Sequence, residues 1–197
     1  MLPIDEIRLN ELEVLRHLKI DDCKLLKRLS ISTNLRMLES LKVSYCPLME
    51  IQILGELKSL LYFYIEECNS LERIYDLSNC KNLLSVSIRD CHRLRVVEGI
   101  NELHTLEDLT AWKCGSLKEL LDIQSTKINY HCSICIWMCK KLPMNGSTTL
   151  AQHKERVNCC SRNEDEVCPH SSISHIYFVL FSYHIPHVPL ISFKKQS

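Results

Sequence analysis

Apolar residues recur through the first two-thirds of the chain in one nine-residue phrase, L-x-x-L-x-I-x-x-C. Leu15, Leu18, Ile20 and Cys23 form the first copy, and Leu38, Leu41, Val43 and Cys46 the second. Leu60, Phe63, Ile65 and Cys68 follow, then Leu83, Val86, Ile88 and Cys91, then Leu106, Leu109, Ala111 and Cys114. The five cysteines stand 23, 22, 23 and 23 residues apart. The L-x-I step has period two, which sends both side chains to one face of a short strand. After each cysteine the apolar spacing widens to three, as at Leu26 and Leu29, Leu71 and Ile74, Leu94 and Val97, and Leu117 and Leu120. In the second copy Leu48 and Ile51 come one position early, which accounts for the 22-residue step. A degraded sixth copy, Ile134, Ile136, Cys139 and Leu142, follows after 25 residues. Amphipathic helices do not fit, because no sustained i, i+3, i+4, i+7 stripe runs through the phrase.

One copy exposes more apolar surface than it can bury, so copies must stack into a continuous core. The phrase is similar to the leucine-rich repeat, L-x-x-L-x-L-x-x-N/C-x-L, whose period is about 20–29 residues. The expected fold is therefore a repeat solenoid of the α/β class, a leucine-rich-repeat horseshoe. Short parallel strands are expected on its concave face and irregular or 3₁₀ segments on its convex face. Leu9 and Leu12 fit the closing positions of an earlier copy, so the chain is expected to open partway through a repeat.

Composition sets a boundary. Residues 1–146 hold 28 leucines and residues 147–197 only three, Leu150, Leu180 and Leu190. The expected organisation is a repeat domain over 1–146, with about five full repeats, a partial first and a degraded last, followed by a low-order tail over 147–197. The apolar run Tyr177–Phe193 is broken by His184, Pro186, His187 and Pro189, which favours an unstructured segment over a strand, an edge-packing arm or a membrane attachment.

Two stretches carry a closer resemblance: Cys68, Ser70, Leu71, Ile74, Asp76 and Leu77, and the run Leu94–Asp122 followed by Ser125–Ile128. With cysteine in place of asparagine at the turn, they resemble the repeats of plant nucleotide-binding leucine-rich-repeat disease-resistance proteins, the branch with an N-terminal Toll-like domain. The resemblance covers residues 7–146. It implies the sensing or autoinhibitory part of an intracellular immune receptor, which meets a protein ligand or the receptor's own nucleotide-binding domain. No P-loop accompanies the repeats: the four glycines are never neighbours, and neither GxxxxGK[ST] nor GxGxxG occurs. A free-standing adaptor scaffolding a signalling or ubiquitin-ligase complex is the alternative.

Charge narrows the partners. Twenty-four basic residues balance twenty-four acidic ones, and a nucleic-acid binder normally needs a basic face. No apolar stretch reaches the length of a membrane-spanning helix, and no signal peptide is visible at Met1. Twelve cysteines without such a signal suit a reducing, cytoplasmic location. Cys80 sits where other copies carry Leu35 and Leu103, and is expected in the core. Cys132-x-x-Cys135 has the spacing of half a zinc site. Its would-be partners Cys159, Cys160, Cys168, His131, His153 and His170 lack a second C-x₂-C or H-x₃₋₅-H, so no metal is expected. With no G-x-S-x-G and no H-E-x-x-H, the expectation is a non-enzymatic chain without a cofactor.

Period two also places the binding candidates. The residues flanking each inward pair point outward, so Lys19, Lys42, Tyr64, Ser87, Thr110 and Cys135 form one column. Asp21, Ser44, Glu66, Arg89, Trp112 and Trp137 form the next. Within this face Lys19, Asp21, Lys42, Tyr62, Tyr64, Glu66, Arg89, Trp112 and Trp137 are the candidate partner-binding residues, since hot spots are enriched in Trp, Tyr and Arg. The opposing expectation for Trp112 and Trp137 is that they lie sideways and shield the end of the core.

Overall fold

The computed structural model describes residues 6–7, 13–32, 34–121, 126–129, 131–142, 157–159 and 190–193. Every described L-x-I step lies inside a five-residue strand. In chain order the strands are β1 (Glu6–Ile7), β2 (His17–Asp21), β3 (Arg28–Ser32), β4 (Ser40–Ser44), β5 (Glu50–Leu54), β6 (Tyr62–Glu66) and β7 (Arg73–Tyr75). They continue with β8 (Ser85–Arg89), β9 (Val96–Val97), β10 (Asp108–Trp112), β11 (Ser133–Trp137), β12 (Val157–Cys159) and β13 (Leu190–Phe193). All pair in parallel, and they divide into two sheets, β1-β3-β5-β7-β9 and β12-β11-β10-β8-β6-β4-β2-β13. The chain is a parallel-strand β-solenoid of about five turns, and the turns from β2 to β9 each give one strand to each sheet.

Register follows the repeat. Leu18 pairs with Leu41, Leu41 with Phe63, Phe63 with Val86, Val86 with Leu109 and Leu109 with Ile134. Equivalent side chains therefore stack in columns about 4.8 Å apart. A second column runs through Ile20, Val43, Ile65, Ile88, Ala111 and Ile136, all buried. The leucines three and six after each cysteine close the core from the side of the smaller sheet, where Leu29, Ile51, Ile74 and Val97 are aligned. Cys80 is fully buried in the same core, as its place among Leu35, Leu57 and Leu103 requires.

Two expectations are corrected. The α/β assignment does not hold: among the described residues the only helical pieces are the 3₁₀ turns Leu77–Asn79 and Ile100–Glu102. Nor is the side opposite the large sheet irregular throughout. Leu29-x-Ile31 and Ile51-x-Ile53 restore period two with β-branched residues, and both segments form five-residue strands. Where Asp76 and Gly99 adopt positive φ, 62° and 91°, the strand stops short and a 3₁₀ turn follows.

The corners after β2, β4, β6, β8, β10 and β11 share one backbone conformation. The residue before the cysteine takes the left-handed conformation: Asp22, Tyr45, Glu67, Asp90, Lys113 and Met138 have φ between 51° and 55°. Its N–H reaches across to the next turn, as from Asp22 to the Ser44 carbonyl (3.0 Å), Glu67 to Arg89 (3.0 Å) and Lys113 to Trp137 (2.8 Å). The thiol that follows points inward and donates to the carbonyl two residues back, at 3.1 Å in Cys46, 3.3 Å in Cys91, 3.4 Å in Cys114 and 3.5 Å in Cys139. The leucine three residues on closes the turn by donating its N–H to the cysteine carbonyl, as Leu71 does to Cys68 at 3.0 Å. In the shortened second copy Pro47, which has no N–H to give, follows Cys46 directly, and buried Leu48 comes one position early.

Two segments of 147–197 fall among the described residues, and each is a sheet-edge strand. β12 pairs with β11 and β13 with β2, at opposite ends of the large sheet. The rest of that region, like Leu9 and Leu12, lies outside the described residues.

Candidate protein-interaction face

The outward phase of β2, β4, β6, β8, β10 and β11 carries a three-column array. One edge reads His17, Ser40, Tyr62, Ser85, Asp108 and Ser133, and the middle reads Lys19, Lys42, Tyr64, Ser87, Thr110 and Cys135. The other edge reads Asp21, Ser44, Glu66, Arg89, Trp112 and Trp137. Period two thus brings all nine candidate residues onto one face. Eight of them are half-buried, because in-register parallel strands crowd each side chain against its copies above and below. Trp137 is the ninth, and at 4% exposure it is buried, contrary to its expected exposure.

Each end of the array has its own chemistry. At the β2–β6 end it is ionic: Lys19 Nζ lies 3.8 Å from Asp21 Oδ2, and Lys42 Nζ lies 3.3 Å from Glu66 Oε2. Burial lowers the Lys42 pKa, with the Glu66 carboxylate opposing that effect. At the β8–β11 end the face is aromatic. Trp112 and Trp137 stack with centroids 6.0 Å apart and planes at 29°, and the Arg89 guanidinium sits 5.9 Å from the Trp112 ring centre. Tyr62 and Tyr64 form a second stacked pair at 6.2 Å. Trp137 and Cys135 are buried together, with Trp112 and Met138 packed against them. Trp137 is thus buried in an outer cluster apart from the main core, while Trp112 stays half-buried.

Between the two aromatic pairs lies a polar floor that sequence reasoning left out of the candidate set. Ser87 and Thr110 are buried, and Arg89 Nε donates to Ser87 Oγ at 3.3 Å. Ser85 Oγ donates to Asp108 Oδ2 at 3.3 Å. Burial raises the Asp108 pKa, while Ser85 and Arg89 pull it back down. The signal for Asp108 was its phase, the same as Tyr62, but depth on a sheet face depends on neighbours that period two does not reveal.

The zinc-like spacing is split by the fold. Cys132 faces the core, donating its N–H to the Asn129 carbonyl (3.0 Å) as Leu38 does to Leu35 (3.1 Å), while Cys135 belongs to the outer cluster. Among the described residues no group of three or more His, Cys, Asp or Glu is placed to hold a metal. Cys160, Cys168, His153 and His170 lie outside the described residues, and of Cys159 only the strand position is described. None of the nine described core and face cysteines is joined in a disulfide. Among the described residues no helix is long and apolar enough to cross a membrane. No protein family, curated protein or solved structure matches the chain.

Proposed function

We propose that the solenoid is a leucine-rich-repeat horseshoe whose large sheet forms a concave protein-binding face. In this reading it is the sensing or autoinhibitory arc of a cytoplasmic plant immune receptor. It acts without catalysis, cofactor, nucleic acid or membrane, and its partner is a protein ligand or the receptor's own nucleotide-binding domain. The observation that supports binding is the pair of aromatic clusters on the large-sheet face, where half-buried Trp112 on β10 and Tyr62 and Tyr64 on β6 flank a polar floor. Such rigid, amphipathic rings supply contact area at low entropic cost, and truncating one that anchors a partner costs about 2 kcal/mol or more.

The test uses Trp112→Ala and Tyr64→Ala in the full receptor, measuring binding to its nucleotide-binding domain and receptor abundance side by side. Binding weakened about thirtyfold at unchanged abundance supports the proposal. Binding that falls only in proportion to abundance assigns these rings to the fold and removes the aromatic clusters as the site.

A further inference from the structure

Across β6, β8 and β10 the large-sheet face holds two rows drawn from the same kinds of residue. In the row nearest the cysteine corners, Arg89 stands between Glu66 and Trp112. Its guanidinium sits 5.9 Å from the Trp112 ring centre, and its Nε donates to Ser87 Oγ. At the other end of the same strands the order is reversed. Tyr62 on β6 supplies the ring, Asp108 on β10 the carboxylate, and Ser85 stands between them. The first row reads acid, arginine, ring; the second reads ring, serine, acid. The second row lacks only the cation.

Asp108 is also the carboxylate that the face leaves uncommitted. The outward columns hold three carboxylates, Asp21, Glu66 and Asp108. Lys19 lies 3.8 Å from Asp21, and Lys42 lies 3.3 Å from Glu66. Among the described residues no basic side chain forms an ion pair with Asp108, whose hydrogen-bond donor is the Ser85 hydroxyl at 3.3 Å. Asp108 is half-buried. A carboxylate drawn partly out of water with one neutral donor gains most from a charged one.

In-register strands set the spacing. Tyr62 and Asp108 stand two strand separations apart, about 9.6 Å, and a serine side chain fills little of the layer between them. A side chain entering above Ser85 lies about 4.8 Å from each wall. That is within the ~6 Å over which a cation is attracted to a ring. The aromatic wall extends along β6, because Tyr62 stacks on Tyr64 at 6.2 Å with planes 17° apart. A guanidinium suits these walls better than an ammonium, since its plane stacks on a ring while its edge donates to a carboxylate. We infer that the Tyr62–Ser85–Asp108 row is an arginine site, which takes one arginine side chain of a protein partner and sets that partner's register on the face. The inference rests on the large-sheet face being the one that meets a protein.

The experiment titrates the isotope-labelled full-length chain with the peptide acetyl-Gly-Arg-Gly-amide and follows backbone amide shifts. The expected shifts centre on Tyr62, Ser85 and Asp108. Citrulline in place of the peptide's arginine keeps the shape without the charge, and weakens binding about tenfold or more. Asp108→Asn does the same to the arginine peptide, and Ser85→Arg, which completes the row from within, blocks it. No shift at all, equal binding of the citrulline peptide, shifts centred on Asp21 and Glu66, or undiminished binding to a folded Asp108→Asn chain would each overturn the inference. If Asp108→Asn fails to fold, the citrulline comparison on the wild-type chain decides alone. Partner binding lost in Trp112→Ala with no arginine peptide bound overturns the arginine row alone. Peptide bound through Asp108, with partner binding untouched by Trp112→Ala and Tyr64→Ala, leaves the arginine row standing and removes the aromatic clusters as the site.

Discussion

At the six cysteine corners an ordinary residue occupies a backbone region that costs a side chain on the order of 1 kcal/mol or more, yet none of the six is glycine. The constraint was not legible because Asp22 and Asp90 are the only members of the set whose residue type hints at it, and Tyr45, Lys113 and Met138 carry no hint. The cysteine beside each was legible, since its spacing and small apolar character both mark a buried corner. Its burial has a thermodynamic consequence. Desolvation raises the Cys68 thiol to about 11 and the Cys80 thiol to about 12, against an ordinary value of 9.0. The unfolded chain therefore loses these protons first as pH rises, so the contribution to stability is whole below pH 9 and lost on the way to 11 and 12. Between pH 9 and 10 the two thiols together should remove about 2 kcal/mol. Urea unfolding followed across that window checks the figure, and Cys68→Ala with Cys80→Ala should flatten the slope.

At the scale of elements, the large-sheet strands from β2 to β11 could be read from L-x-I to within a residue, because a half-buried strand must alternate. The smaller sheet was hidden. Spacing of three after the cysteine suggested turns, while the strand signal sat one step further on, in Ile31 and Ile53. The 3₁₀ turns depend on Asp76 and Gly99, positions that a repeat consensus leaves open. Gly99 is the sharper constraint. At φ +91° a Cβ there would lie 2.3 Å from the Ser78 nitrogen, and backbone cannot move aside as a flexible side chain would. Gly99→Ala should therefore cost about 2–4 kcal/mol, against a few tenths for Gly115→Ala, whose Cβ meets nothing within 4 Å. Thermal melts of the two variants make the comparison. Equal losses would show that the turn relaxes.

Across the whole molecule, the ladder partners from β2 to β11 are near neighbours in sequence: Lys19 faces Lys42, Tyr64 faces Ser87, and Thr110 faces Cys135. Of the candidate face, the columns followed from this regularity alone, whereas the burial of Trp137 required knowing that Trp112 stacks on it. The tail was illegible for the opposite reason, since β12 and β13 carry no repeat phrase. β13 stands apart from every other strand. Leu190 pairs with His17 and Phe193 with Ile20, joining positions near the two extremes of the chain. Removing residues 190–197 should lower the melting temperature only slightly and raise hydrogen exchange selectively in β2; a large drop would make β13 an integral part of the core. The reason lies in chain statistics. Each solenoid turn closes a loop one repeat long, so assembly can zip from any starting turn at the same modest entropic cost per step. Closing the ring of chain between His17 and Leu190 costs about 2 kcal/mol more than one such step. Folding should thus run in two tempos, a fast propagation along the repeats and a slower docking of the last strand onto the first, with that junction the earliest to open when the protein is heated.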